Sequence, residues 1–297
     1  MKSAWIDLVS KNISRTAPVL IAGPTASGKS ALALAIARRD GRMIVNADAL
    51  QVYARWRILT ARPNLQEEVE ADHRLYGHVG RDLSYSVGDW LREVSTVLQT
   101  GKPVVIVGGT GLYFSALTEG LVDIPATPAE VRKIADFRRA KDGISGLLQE
   151  LDVATAEKID KANPARVQRA WEVLQSTGRG LAEWQSETGP ALMPLRDVDA
   201  FVLRPDVDGL NSRIDQRFDA MLASGALAEV AAEQPYWMPD KPSARAIGAA
   251  ELIRYLRGDL TLDAAVSAAK LASRQYAKRQ RTWARSRMSG WNSIIPR

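Results

Sequence analysis

The sequence predicts an α/β protein, a parallel sheet flanked by helices that carries a helical insertion domain. Three observations predict it. The apolar run of residues 19–22 breaks into Gly23-Pro24-Thr25-Ala26-Ser27-Gly28-Lys29-Ser30, and an alanine- and leucine-rich stretch follows. Two more apolar runs, residues 43–46 and 103–107, end abruptly in short turns. Residues 129–188 show helical periodicity and no strand-like run. Short, continuous apolar runs separated by helix-length segments mark strands buried on both faces of a parallel sheet.

The glycine-rich stretch has the spacing G-x-x-x-x-G-K-S, with a strand before it and the helix of residues 31–38 after it. That is the context a phosphate loop needs, and it makes the core P-loop NTPase-like. Glycine lets the backbone turn tightly, so that consecutive N–H groups converge on one anion beside a helix N-terminus. Residues Gly23 to Ser30 are therefore the candidate polyphosphate cradle. Lys29 supplies a full charge and the Ser30 hydroxyl is the candidate Mg²⁺ ligand. The loop alone leaves open which polyphosphate is held.

A chain of 297 residues, 46% of them hydrophobic, can bury a substantial core. With no cysteine, disulfides and thiolate metal sites are excluded, and a cytoplasmic setting is expected. No stretch approaches 18 uncharged apolar residues, so no membrane-spanning helix and no membrane partner is expected. Residues 1–17 read as a loosely attached N-terminal extension without a secretory signal. Core elements follow over 18–124. Two prolines, Pro125 and Pro128, mark a break, and the helical insertion is placed at 125–195. The core resumes over 196–297 with a strand at 199–203, a helix at 210–224 capped by Gly225, and a further helix after Pro242.

Several side chains stand out as chemistry. Asp48 follows the second strand, at the edge of the sheet where ligands bind in such folds. It either faces the phosphate loop or caps the next helix. His73 and His78, five residues apart with no third ligand, do not make a metal site. The strand at 103–107 runs into Gly108-Gly109-Thr110, where a hydrolytic NTPase carries a metal-binding aspartate. ATP hydrolysis is thereby disfavoured. Thr110 is either a hydroxyl beside a ligand or a turn residue. From Lys270 to Arg297 there are eight Lys and Arg and no Asp or Glu. Arg274, Lys278, Arg281 and Arg285 recur at helical spacing with Tyr276 and Trp283 between them, which suits either nucleic-acid backbone contact or a solvated face.

Ordered motifs over about residues 18–290 resemble one family, the tRNA dimethylallyltransferases. They are the loop Gly23–Ser30 with its Pro-Thr, Asn46-Ala-Asp48-Ala-Leu-Gln51-Val-Tyr53, Thr60-Ala-Arg62-Pro63, Gly108-Gly109-Thr110-Gly-Leu-Tyr113, Asn163-Pro-Ala-Arg166-Val-Gln-Arg169, Arg245-Ala-Ile-Gly248, and Arg274-Gln-Tyr-Ala-Lys-Arg279-Gln280-Arg-Thr-Trp283. The resemblance implies transfer of a dimethylallyl group from its diphosphate to N6 of adenosine 37, in tRNAs reading codons that begin with U. It implies Asp48, Thr110 and Arg245 as catalytic residues, with Mg²⁺ as cofactor. The anticodon stem-loop is then expected against Asp48, Ala49, Leu50, Gln51 and Thr110. Arg132, Arg166 and Arg169 in the insertion, with Arg274, Lys278 and Arg281 near the end, are the further tRNA candidates. Ala49, Ala249 and Leu59 depart from the family's usual Ser, Tyr and Gly. The rival readings are an adenylate isopentenyltransferase, a small-molecule P-loop kinase and a non-catalytic RNA-binding protein. A monomer is the default expectation.

Overall fold

In the computed structural model, which describes residues 4–296, the strands are β1 Val19–Ala22, β2 Met43–Asn46, β3 His73–Arg74, β4 Val104–Gly108, β5 Asp199–Leu203 and β6 Asn292–Ile294. They form one parallel sheet in the order β3-β2-β4-β1-β5-β6. The chain divides into two compact units: residues to Glu119 together with Leu192 onward, and Gly120–Ala191. In the first unit lie α1 Ala4–Lys11, α2 Lys29–Asp40, α3 Leu65–Glu70, α4 Val87–Leu98 and α5 Gly111–Glu119. The second holds α6 Ala129–Asp142, α7 Ser145–Gln149, α8 Val153–Lys158, α9 Pro164–Thr177 and α10 Leu181–Ser186. Back in the first unit are α11 Val207–Ala223, α12 Ala226–Glu233, α13 Ala249–Leu256 and α14 Leu262–Arg287.

The inner strands β1, β2 and β4 are buried on both faces, and successive side chains alternate between them. Leu20, Val45 and Ile106 pack with Trp90 and Val94 of α4, Phe114 and Leu117 of α5, and Ala284 of α14. Val19, Ile21, Ile44, Val105 and Val107 pack on the other side with Leu32, Ala33 and Ile36 of α2. The strand ends are pinned from outside the ladder: the buried Trp90 donates its indole N–H to the Asn46 carbonyl at 2.7 Å.

Gly108 closes β4 against the chain leaving β2. A Cβ on Gly108 would lie 2.0 Å from the Ala47 carbonyl oxygen, a backbone atom that cannot swing aside. Gly108→Ala is expected to cost about 3 kcal/mol, at the upper end for overpacking. The midpoint of urea unfolding reads it; an unchanged midpoint would show that the two strand ends separate freely.

The N-terminal extension corrects the sequence reading. Residues 1–3 lie outside the described residues, but residues 4–17 are not loosely attached. Ile6 and Ile13 are buried. The buried Arg42 donates to the Ala17 and Ser14 carbonyls, both at 2.6 Å, and Arg39 donates to those of Ser10 and Ile13. Asp40 pairs with both arginines, and the Arg39 hydrogen bond holds its carboxyl below the usual range. Trp5 of α1 reaches the phosphate loop, where a Cβ on Gly28 would come within 3.0 Å of the indole. Two further differences are local. Gly225 (φ +98°) precedes α12 as its N-cap, since Ser224 closes α11. The C-terminal segment also ends in β6, which its basic composition hid.

In the second unit the core is Ala135, Leu147, Val167 and Trp171. Asn163 caps α9 by accepting the Arg166 N–H at 3.2 Å, and Pro164 occupies the first turn, where no N–H is needed. The unit begins and ends a few residues before the boundaries at 125 and 195. Gly120 (φ +96°) and Gly189 meet there, and a Cβ on Gly120 would lie 2.3 Å from the Gly189 carbonyl oxygen.

Candidate active site

β1 delivers the chain into the loop Gly23–Ser30, and α2 starts at Lys29 behind Gly28 (φ +91°). The loop borders a cavity of ≈ 400 Å³ lined by Ser27, Gly28, Lys29, Ser30, Arg213 and Arg217, among others. The cations are held by the loop itself. Arg213 Nε donates to the Ala26 carbonyl at 3.2 Å, Arg217 Nη1 to the Thr25 hydroxyl at 3.3 Å, and Lys29 Nζ to the Pro24 carbonyl at 3.3 Å. Arg213 Nη2 and Ser27 Oγ are buried without a partner among the described residues. Buried polar atoms in that condition are costly, and an anion in the cavity relieves them. Burial, and then the Arg217 charge, lower the Lys29 pKa to about 8 against the opposing pull of Asp48.

Asp48 stands at the C-terminal end of β2 in a turn closed by Asn46. The Asp48 N–H donates to Asn46 Oδ1 at 2.9 Å, and Asn46 Nδ2 donates to the Asp48 carbonyl at 3.0 Å. Asp48 Oδ1 accepts the Leu50 N–H at 3.0 Å. Oδ2 accepts no hydrogen bond among the described residues. Thr110 secures the same turn: its Oγ1 accepts the Ala49 N–H at 2.9 Å and its N–H donates to the Ala47 carbonyl at 3.1 Å.

A second cavity, of ≈ 70 Å³, has Thr25, Lys29, Asp48 and Arg217 among its polar lining and Leu50, Leu59, Ile214, Phe218, Met221 and Ile247 among its apolar lining. Lys29 and Arg217 line both cavities. The loop cavity therefore adjoins, through these two side chains, a cavity lined by Asp48 and an apolar wall.

The structure thus brings together Gly23–Ser30, Asp48, Leu50, Gln51 and, through its hydrogen bond, Thr110. It does not bring in Arg245, which is exposed and lines neither cavity. Ile247, two residues on, faces the apolar side instead. The arginine the sequence reading missed is Arg217. The signal was present: Arg213 and Arg217 are four apart on α11, so they share a face. Nothing local linked that face to a loop nearly two hundred residues earlier.

The tRNA candidates divide in the same way. Arg274 is ion-paired with both Asp215 carboxylate oxygens at 2.7 Å, and Lys270 with Asp219, so the first turns of the basic stripe bind α11. Lys278 remains exposed; Arg281 is half-buried with Nε unpartnered among the described residues. Gln51 donates to the Thr60 and Ala61 carbonyls at 2.8 and 2.9 Å and braces the cavity wall. In the second unit Arg132 and Arg166 are exposed, while Arg169 is half-buried, donates to the Thr127 hydroxyl and feels the Arg132 charge. Among the described residues no helix is long and apolar enough to cross a membrane.

Comparison with known proteins identifies the family. The family described as IPP transferase matches residues 51–287. A tRNA dimethylallyltransferase of Cereibacter sphaeroides is 64% identical over 277 residues, 93% of this chain and 88% of that protein. The crystal structure of a tRNA isopentenylpyrophosphate transferase from Bacillus halodurans superposes with a TM-score of 0.66 at 30% identity, covering 94% of this chain and 89% of that one. A eukaryotic dimethylallyltransferase acting on tRNA superposes with a TM-score of 0.78 at 25% identity, covering 94% of this chain and 73% of that one. On its residues, its fold and these relatives, the chain belongs to the tRNA dimethylallyltransferase (IPP transferase) family of prenyltransferases.

Proposed function

We propose that the chain transfers the dimethylallyl group of dimethylallyl diphosphate to N6 of adenosine 37, in tRNAs reading codons that begin with U. The observation that carries this is the free Oδ2 of Asp48 in a cavity it shares with Lys29 and Arg217. The allylic C–O bond breaks, the electron pair leaves with the diphosphate, and a C–N bond forms from N6 to the allylic carbon. Lys29, Arg213, Arg217 and the loop N–H groups neutralise the charge that develops on the leaving group. Asp48 Oδ2 accepts a hydrogen bond from the exocyclic amine, orients its lone pair and takes the N6 proton as the bond forms. Ile214, Phe218 and Met221 give the alkyl group a dry wall.

The donor set fits Mg²⁺. Ser30 offers a hard hydroxyl oxygen beside Lys29, and among the described residues no group of three or more His, Cys, Asp or Glu forms a cage of its own. Ser30 would be the residue that holds the cation, in keeping with the few protein oxygens Mg²⁺ usually takes. When bound, it adds positive charge at the leaving group.

Adenosine 37 must leave its stack to reach Asp48, at a cost of a few kcal/mol. Exposed Lys278, Arg132 and Arg166, with Arg281 and Arg169, are suited to the phosphates around it. The chain is taken to act as a monomer. Binding of tRNA is expected to weaken steeply with salt, and Arg166→Ala to reduce the slope of log K against log salt by about 1. Filter binding across a salt series reads this; an unchanged slope would place the RNA elsewhere.

The test of the whole reading supplies dimethylallyl diphosphate, Mg²⁺ and unmodified tRNA, with AMP and ATP as parallel acceptors, followed by nucleoside mass spectrometry. Prenylated adenosine 37 is the expected product. Prenylated AMP with untouched tRNA would overturn the acceptor, and ATP consumption without transfer would overturn the donor.

A further inference from the structure

Gln280, on α14 one turn beyond Tyr276, is only 8% exposed, and its amide is engaged at both ends. Oε1 accepts the Thr25 N–H at 2.9 Å, and Nε2 donates to the Gly109 carbonyl at 3.1 Å. Thr25 belongs to the phosphate loop. Gly109 belongs to the turn that follows β4, carries Thr110 and lies against Asp48: a Cβ there would be 3.4 Å from Asp48 Oδ2. The same Cβ would fall 2.1 Å from Gln280 Nε2, so a side chain at residue 109 would push the amide out of its present contact. The strands leading to these two loops are paired up to Ala22 and Gly108. Beyond that point no backbone hydrogen bond joins the loops among the described residues.

We infer that Gln280 is a positioning residue that sets the separation between the loop gripping the diphosphate and the turn beside Asp48. It thereby sets the distance from the donor's allylic carbon to the attacking N6. The inference rests on the proposed prenyl transfer. A primary amide suits the place because it offers one acceptor and one donor in a single plane. An ionised carboxylate has only acceptors and would set a negative charge against the Gly109 carbonyl. A protonated carboxyl group again has one acceptor and one donor.

That difference supplies a test that a merely structural role would not satisfy. The charged and titratable groups around the position are Asp48 beside Gly109, Lys29 and Arg217 at the loop, and Tyr276 and Arg279 on α14. Wild type, Gln280→Met and Gln280→Glu are compared in the full chain by single-turnover transfer with both substrates saturating and by steady-state assays at varied donor and tRNA, with thermal melting to establish folding. Gln280→Met is expected to lose about 10²-fold in rate, the scale of an ångström of misplacement, with both KM values little changed. Gln280→Glu should be equally slow near neutral pH, and its rate relative to wild type should rise as pH falls and the introduced carboxyl group takes up a proton. A ratio flat across pH, or a Gln280→Met rate close to wild type, would overturn the inference while leaving prenyl transfer intact. A wild-type enzyme that transfers nothing would remove both.

Discussion

Replacement of Asp48 by asparagine is expected to lower the rate of transfer by about 10²- to 10⁴-fold, the usual worth of a positioned general base. The substitution is nearly isosteric. The side-chain oxygen still accepts the Leu50 N–H, and the backbone bonds to Asn46 do not involve the side chain of residue 48. The turn is therefore retained, and what is lost is the free Oδ2 as proton acceptor. The substitution also removes the one carboxylate beside Lys29 and Arg217 in that cavity. Diphosphate binding should then be as tight as in wild type or tighter. A fall in kcat with a steady or lower donor KM is the expected signature in steady-state assays. A rate within about threefold of wild type would mean that N6 loses its proton to another group.

Lys29→Met should cost about 10²- to 10³-fold in kcat, the scale of removing one stabiliser of developing charge. Methionine retains much of the apolar stem, so the cavity wall survives. Lys29 also carries a pH dependence whose sign follows from its burial. In the free protein its pKa is about 8, below its ordinary 10.5. Above that pH the ammonium is neutral and the anion loses a partner, so donor affinity should fall as pH rises through about 8. Binding an anion favours the charged form, and binding above that pH should take up a proton. The stability of the ligand-free protein runs the other way. Between about 8 and 10.5 the unfolded chain retains a proton the folded one has shed, so this group stabilises the fold as pH rises through that window. Calorimetry with pyrophosphate in buffers of different ionisation heat, and melting against pH, measure the two effects. Both should vanish in Lys29→Met.

What was legible in the sequence was what lies close together along it. The phosphate loop announces itself because its glycines, lysine and serine must sit at fixed spacing to fold round one anion. Asp48 was legible because a strand ending in a carboxylate has a place in any parallel sheet. Arg217 was not, and Gln280, though part of a legible motif, carried no role. They reach the loop because β5 lies beside β1 and because α11 and α14 pack together, and no local pattern encodes either fact. Arg245 shows the converse: its motif is plain in the sequence, but the residue is exposed and lines neither cavity. The N-terminal extension escaped because its anchors are carbonyls held by Arg39 and Arg42, and acceptors on the main chain leave no mark in the amino-acid sequence.

The Thr25–Gln280 hydrogen bond joins residues 255 positions apart. At about 5–20 residues per second of synthesis, the loop waits roughly 10–50 s on the ribosome before its partner is made. Throughout that interval Gln280, which bonds both the loop and the turn after β4, is still unmade. A polypeptide stopped before α14 would accordingly lack the link between loop and turn, and with it β6 and the Ala284 side chain that packs on the sheet.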